Sequence, residues 1–145
     1  MIHLTSEHRL AMAQHAEQDY PFECCGLLLG RFGDDGSKVT CETYAISNAR
    51  EEAAKRNRFL ITPVEMLRGE QYAAQKKLEV VGVYHSHPDH PSAPSDYDRD
   101  HAWPVFSYII LSVQNGKAAD IRSWVLKPDR SAFEQEEILK GNSPC

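Results

Sequence analysis

The chain has 145 residues, of which 41% are hydrophobic and 26% charged, and this composition predicts one globular domain over residues 1–140. A formal net charge of −5 argues against a nucleic-acid-binding surface, and no apolar run approaches the ~20 residues needed to span a bilayer. Because the polar start of the chain shows no signal-peptide pattern, we expect a cytoplasmic protein that binds neither nucleic acid nor membrane.

The first third of the chain predicts one helix and a β-hairpin. Thr5 is a suitable N-cap for a helix that should end near Tyr20, because Pro21 disfavours helical geometry in the residue before it. A short apolar run between glycines at residues 22–30 predicts a buried strand, and residues 38–46 alternate as its hairpin partner.

The connection that follows, residues 48–58, is polar and rich in basic side chains, and it is the best candidate for a mobile loop. Composition alone favours a plain solvated connection instead. Residues 59–61 predict a short strand. Thr62 then caps a helix that has Pro63 at its first position and should run to about residue 77.

The second half of the chain predicts the remainder of a sheet and one short helix at about residues 96–102. Strands are expected at residues 79–85, 106–113, 118–126 and 133–139, the last with a helix as its alternative. A turn at Asn115–Gly116 should join the strands at residues 106–113 and 118–126. The order of elements predicts an α/β (α+β) fold with a mixed, mostly antiparallel sheet flanked by helices, and a flexible tail at residues 141–145.

Two histidines at the end of one predicted strand suggest a metal site. Residues i and i+2 of a strand share a face, so His85 and His87 can reach one ion while Ser86 points the other way. A catalytic zinc ion needs a third protein ligand and an open position, and Asp98 lies beyond a Pro-rich loop that can fold back.

Spacing alone leaves alternatives open in this stretch. Other potential ligands are His90, His101, Asp89, Asp96 and Asp100. Ser95-x-x-Asp98 before a helix also resembles a capping box, in which the carboxylate is used by the backbone rather than by a metal.

The order His85-Ser86-His87-Pro88, six residues, then Ser95-Asp96-Tyr97-Asp98 resembles the signature of the JAMM (MPN+) zinc metallo-isopeptidases. Residues 21–30 resemble the segment of small bacterial members that carries an upstream glutamate, and Asn48 resembles part of the connecting region. The resemblance extends from residue 7 to about residue 125.

This resemblance implies roles for five residues. His85, His87 and Asp98 would bind one zinc ion, Glu23 would act as the general base, and Ser95 would support the oxyanion. The residues alone do not select Glu23 over Glu79 or Asp89; the family does. The roles agree with zinc chemistry, in which a carboxylate takes the proton of an activated water and passes it to the leaving amine.

The family hydrolyses bonds after the C-terminal glycines of ubiquitin or ubiquitin-like proteins. Residues 23–26 resemble bacterial peptidases that trim a ubiquitin-like, β-grasp sulfur-carrier protein after Gly-Gly, and no long insertion for gripping ubiquitin follows Asp98. The loop from Arg50 to Arg58 could close over the substrate tail or meet an acidic surface. The oligomeric state stays open.

Three other functions compete with this one: a non-catalytic MPN-type interaction scaffold, a member of the DNA-repair branch, and a cysteine peptidase. The acidic composition disfavours the second, and the third would use Cys24 or Cys25. No Cys-x-x-Cys pair is present, so a thiolate zinc site is not expected. Cys24 and Cys25 should face opposite sides of a buried strand, and all four cysteines should be reduced.

Overall fold

The computed structural model describes residues 1–51, 54–55, 58–141 and 145. The helices are α1 (Ser6–Asp19), α2 (Pro63–Gln75) and α3 (Asp96–Asp100). The strands are β1 (Ile2–Leu4), β2 (Cys25–Phe32), β3 (Lys38–Ile46), β4 (Glu79–Pro88), β5 (Ser107–Gln114), β6 (Lys117–Leu126), β7 (Phe133–Glu136) and β8 (Ile138–Lys140). Among the described residues, no helix is long and apolar enough to cross a bilayer.

All strands belong to one sheet with the order β7-β6-β5-β4-β2-β3-β1-β8. The pairs β4–β5, β1–β3 and β1–β8 are parallel, and the other neighbours are antiparallel. The prediction of a mixed, mostly antiparallel sheet with helices is therefore confirmed. Strand β4, which carries both histidines, lies inside the sheet between β2 and β5.

Each face of the sheet has its own apolar core. Met12 and Ala16 of α1 belong to one cluster together with Val81, whereas Ala73 of α2 belongs to the other together with Val83. Val81 and Val83 would share a face in a regular strand. The register between β2 and β4 shifts here, so that Val81 is the extra residue of a bulge and Val83 turns toward α2.

The two longer helices begin where their capping residues predict. Thr5 Oγ1 accepts a hydrogen bond from the His8 N–H, and His8 Nδ1 accepts one from the Thr5 N–H. Thr62 Oγ1 likewise accepts from the Glu65 N–H, and the rigid ring of Pro63 occupies the first helical position. These predictions are confirmed, and α1 ends at Asp19 as expected.

The expected strand at residues 59–61 is wrong. The Leu60 N–H donates to the side chain of Asn48, and the Leu60 carbonyl accepts from the Ala49 N–H, so the backbone has no strand as partner. Residues 133–139 do not form one strand either: they divide around Glu137 into β7 and β8, which lie at opposite edges of the sheet. The sheet therefore curls until its two edges meet at Glu137. The short strand β1 was not expected from the sequence.

Two of the four cysteines contradict the expectation of reduced thiols. Cys41 of β3 and Cys145 form a disulfide, while Cys24 and Cys25 are free and lie in opposite core clusters, as predicted. Residues 142–144 of the expected flexible tail lie outside the described residues. On either side of them, Gly141 donates to the Leu4 carbonyl and Cys145 is covalently attached.

Candidate metal centre

Three side chains from two elements converge beyond the bulge in β4. The Nε2 atoms of His85 and His87 lie 3.1 Å apart, and they lie 3.3 and 3.2 Å from the two carboxylate oxygens of Asp98. Among the described residues, these are the three His, Cys, Asp or Glu side chains whose ligand atoms all lie within 4.8 Å of one another. The prediction that the histidines share a face, with Ser86 on the other, is confirmed.

The spacing of these atoms fits one tetrahedral ion. Zn–N and Zn–O bonds of about 2.0–2.1 Å place tetrahedral ligands about 3.3 Å apart, close to the three separations seen here. Two imidazole nitrogens and a carboxylate also match the donor types that zinc prefers. The three residues can hold a metal ion and leave a fourth position free.

The loop after β4 fixes the orientation of His87. Its Nδ1 lies 2.8 Å from the carbonyl oxygen of Pro91, which can only accept, so Nδ1 carries the proton and Nε2 presents a lone pair. The same loop is attached to β6, where Trp124 Nε1 donates to the Ser92 carbonyl and the Ser92 hydroxyl donates to Asp120. Every residue has a backbone carbonyl, so the sequence could not indicate that the Pro91 carbonyl would contact His87.

Asp98 completes the capping box and is still placed to bind a metal ion, two uses that the sequence presented as alternatives. Ser95 Oγ accepts from the Asp98 N–H at 3.1 Å, and Asp98 Oδ2 accepts from the Ser95 N–H at 2.9 Å, which completes a capping box for α3. Both carboxylate oxygens nevertheless face the histidines. Burial alone would raise the pKa of Asp98, but His85, His87 and the Ser95 N–H hold it below its usual value. The carboxylate is therefore ionised and ready to bind a cation.

Burial keeps His85 neutral. The side chain is 1% exposed, and this burial lowers its pKa despite the neighbouring Asp98. The ring of Phe59 stacks on the imidazole with centroids 4.5 Å apart. A neutral imidazole is the form that coordinates a metal.

Glu23 precedes β2 and lies next to Cys24, which is hydrogen-bonded to Ser86 of the histidine-bearing strand. The Ser86 hydroxyl accepts from the Cys24 N–H at 2.8 Å, and the Ser86 N–H donates to the Cys24 carbonyl. Glu23 is 3% exposed, and its Oε1 has no hydrogen-bond partner in the described part of the chain. Burial raises its pKa to about 8, with a further rise from Asp98 opposed by His87. A nearby cation would favour its ionised form.

One cavity of about 310 Å³ brings the expected catalytic residues together, because Glu23, His87 and Ser95 all line it. Ser95 Oγ accepts a hydrogen bond in the capping box, which leaves its own proton free to donate to a ligand. A second cavity of about 180 Å³, lined by apolar side chains and by His85, Tyr97 and Asp98, lies on the other side of the centre.

The other residues that the sequence offered as metal ligands or as the base lie elsewhere or make other contacts. Asp89 accepts hydrogen bonds from the Tyr20 hydroxyl and the Asn115 N–H, and Glu79 is exposed at the opposite end of β4. His90 lines the cavity with Glu23, and His101 stacks on Tyr97, but neither belongs to the ligand group.

Comparison with known proteins gives a consistent answer. The family described as prokaryotic homologs of the JAB domain matches residues 5–127, a range that contains all five candidate site residues. The desampylase of Haloferax volcanii is 31% identical over 114 residues, covering 75% of this chain and 78% of that protein.

Solved structures agree with the family match. A protein from Desulfitobacterium hafniense superposes with a TM-score of 0.84 at 31% identity, covering 97% of this chain and 93% of the other. A JAB1/MPN domain protein from Archaeoglobus fulgidus has the same fold, with a TM-score of 0.57 at 16% identity and coverage of 98% of both chains. The relative named desampylase supports a hydrolase of the JAMM type, and the family match shows that the chain belongs to the family of prokaryotic homologs of the JAB domain.

Proposed function

We propose that this protein is a zinc-dependent peptidase that hydrolyses the bond after the C-terminal Gly-Gly of a ubiquitin-like, β-grasp sulfur-carrier protein. One observation carries the proposal. The triangle formed by His85, His87 and Asp98 has the dimensions of a zinc site, and Glu23 and Ser95 share a cavity with one of its members. These five residues therefore offer three ligands for the ion, a base and a hydrogen-bond donor.

Each residue has a chemical task in this proposal. His85, His87 and Asp98 would hold a zinc ion, which when bound would act as a Lewis acid that polarises the scissile carbonyl and makes water more acidic. Glu23 accepts the proton of the attacking water and then delivers it to the departing amine. The Ser95 hydroxyl donates to the carbonyl oxygen as negative charge develops there, an interaction worth about 3 kcal/mol at comparable sites.

The proposed substrate rests on the named relatives, on the family resemblance and on the short connection after α3. The Haloferax volcanii relative is named desampylase, and the family resemblance implies cleavage after a glycine pair. Glycines carry no Cβ and can pass close to buried side chains. No long insertion separates α3 from β5 for gripping a larger partner, which favours a small carrier protein.

The test compares two glutamates in one assay. Purified protein is incubated with carrier proteins ending in Gly-Gly-X, and loss of X is followed by mass spectrometry. Glu23→Gln should keep the zinc and the fold but lose about 10²–10⁴-fold in rate, the usual cost of losing an acid–base group. Glu79→Gln, at the exposed far end of β4, is the matched control and should cleave normally.

A Glu23→Gln enzyme of near-normal rate would exclude this base. A wild-type protein that binds zinc yet cleaves no Gly-Gly tail would instead favour the interaction scaffold.

A further inference from the structure

Two arginines converge on one aromatic ring next to the metal centre. The guanidinium carbons of Arg50 and Arg58 lie 5.3 and 4.9 Å from the ring centroid of Tyr97. Arg50 also donates a hydrogen bond to the Tyr97 hydroxyl. His101 stacks on the same ring with a centroid separation of 4.1 Å. Tyr97 thus fixes two positive charges at one end of α3.

These two charges have no acidic partner among the described residues. Arg50 and Arg58 form no ion pair there, and Arg50 Nε is buried without a hydrogen-bond acceptor. Arg99, on the same helix as Tyr97, shows the contrast, because it lies 3.8 Å from the carboxylates of both Asp96 and Asp100. The two guanidinium groups lie against one ring and so place two positive charges close together. Their mutual repulsion would be relieved by a bound anion.

The arginine pair lies within reach of the centre. Tyr97 directly precedes Asp98, and both side chains line the apolar cavity of about 180 Å³ together with His85. An extended peptide advances about 3.3 Å per residue. A tail whose scissile bond lies at the metal and whose upstream part crosses this cavity would therefore bring a side chain to the arginines after a few residues.

We propose that Arg50, Arg58 and Tyr97 form an anion subsite that binds a carboxylate side chain in the substrate tail, a few residues before the Gly-Gly. This inference rests on the proposed function for the position of the tail. Guanidinium groups bind carboxylates through paired, charge-assisted hydrogen bonds, and the side chain of Arg58 is exposed. The subsite selects acidic tails and disfavours basic ones, because a lysine there would add a third cation.

The experiment measures binding separately from cleavage. Fluorescent peptides that end in Gly-Gly are products and cannot be cut, so the wild-type protein loaded with zinc can be titrated with them directly. Three versions carry Asp, Asn or Lys at the same position, scanned over the few residues before the glycines. Wild-type protein should bind the Asp peptide about tenfold more tightly than the Asn peptide at its best position, and the Lys peptide most weakly.

Variants test whether the preference for the Asp peptide arises at the subsite. Arg50→Gln combined with Arg58→Gln should abolish the preference, and Arg58→Gln alone, at an exposed side chain, should reduce it without affecting folding. Arg99→Gln, on the helix that carries Tyr97, is the matched control and should keep the preference for the Asp peptide. Equal affinity for all three peptides, binding of none of them, or a preference that survives the double substitution would overturn the inference.

The outcome is distinguishable from a failure of the proposed function. A protein that prefers the Asp peptide yet cleaves no Gly-Gly-X substrate keeps the subsite and loses the proposed reaction. A protein that cleaves such substrates without regard to tail charge keeps the reaction and loses the subsite.

Discussion

Asn48 Nδ2 donates to the main-chain carbonyl of Glu23 at 3.0 Å, across 25 positions of sequence. The same nitrogen donates to the Arg58 carbonyl, while Oδ1 accepts from the N–H groups of Arg50 and Leu60. One amide thus uses both donors and two acceptor sites on backbone groups. It joins the proposed base to both ends of the loop that carries the two arginines.

We predict that Asn48→Asp lowers turnover while zinc stays bound. The carboxylate keeps the size and the acceptors of the amide but removes both donors, so the carbonyls of Glu23 and Arg58 lose their partner. We expect the free energy of unfolding to fall by about 1–3 kcal/mol. Because the base would shift, kcat should fall by up to about 10²-fold. Kinetics and elemental analysis on the same sample check this, and an unchanged kcat would show that Glu23 is positioned without Asn48.

We predict that His87→Ala removes most of the bound zinc. The substitution deletes one of three ligands, and the two that remain cannot complete a protein site of the usual kind. His90→Ala and His101→Ala are matched controls from the same stretch and should retain about one zinc ion per chain. Elemental analysis of protein purified without added metal measures all three. Full zinc content in His87→Ala would mean that another residue is the ligand.

We predict that the free thiols of the folded protein resist alkylation. Cys24 and Cys25 are fully buried, and burial raises the pKa of Cys24 to about 12, so almost no thiolate is present near pH 8. Iodoacetamide should leave activity intact, whereas a zinc chelator should abolish it. Mass spectrometry after alkylation, with unfolded protein as the positive control, gives the readout. Rapid alkylation with loss of activity, together with resistance to chelators, would point to a cysteine peptidase.

We predict that the disulfide between Cys41 and Cys145 affects stability more than catalysis. It closes a loop with a sequence separation of 104 residues, and such a cross-link typically stabilises a fold by about 2–4 kcal/mol. Cys145→Ser should therefore lower the free energy of unfolding by about this amount, with kcat little changed, since neither cysteine lines the cavity at Glu23. Denaturant titrations with and without reductant check it; identical curves would mean that the bond is absent in solution.

The parts of the fold that could be predicted are those set by local chemistry. The caps at Thr5 and Thr62 determine their helices through neighbouring backbone groups, and the strand period of two brings His85 and His87 to one face. The role of Asp98 was harder to predict, because the sequence is compatible with both a capping box and a metal ligand. In the structure the carboxylate accepts from the Ser95 N–H and still faces the histidines, so the capping box does not exclude a ligand role.

The features that escaped prediction depend on distant partners. The apolar run at residues 59–61 resembles a strand, but the side chain of Asn48 takes its backbone hydrogen bonds. Val81 lies in a bulge because of the register between β4 and β2, and the sequence of β4 alone does not determine that register. The pairing of Cys41 with Cys145 depends on the fold bringing two residues together across a sequence separation of 104, and no spacing rule connects them.

Strands β7 and β8 are consecutive in the chain, yet each completes a different edge of the sheet. During synthesis the central strands, including β4 with its two histidines, leave the ribosome before β7 and β8, so β6 and β1 keep open edges until residues 133–140 emerge. Open strand edges pair readily with other chains. A premature stop before residue 133 would thus release a chain that contains every proposed site residue but has no covered border, and its fate should be aggregation or degradation rather than a smaller working enzyme.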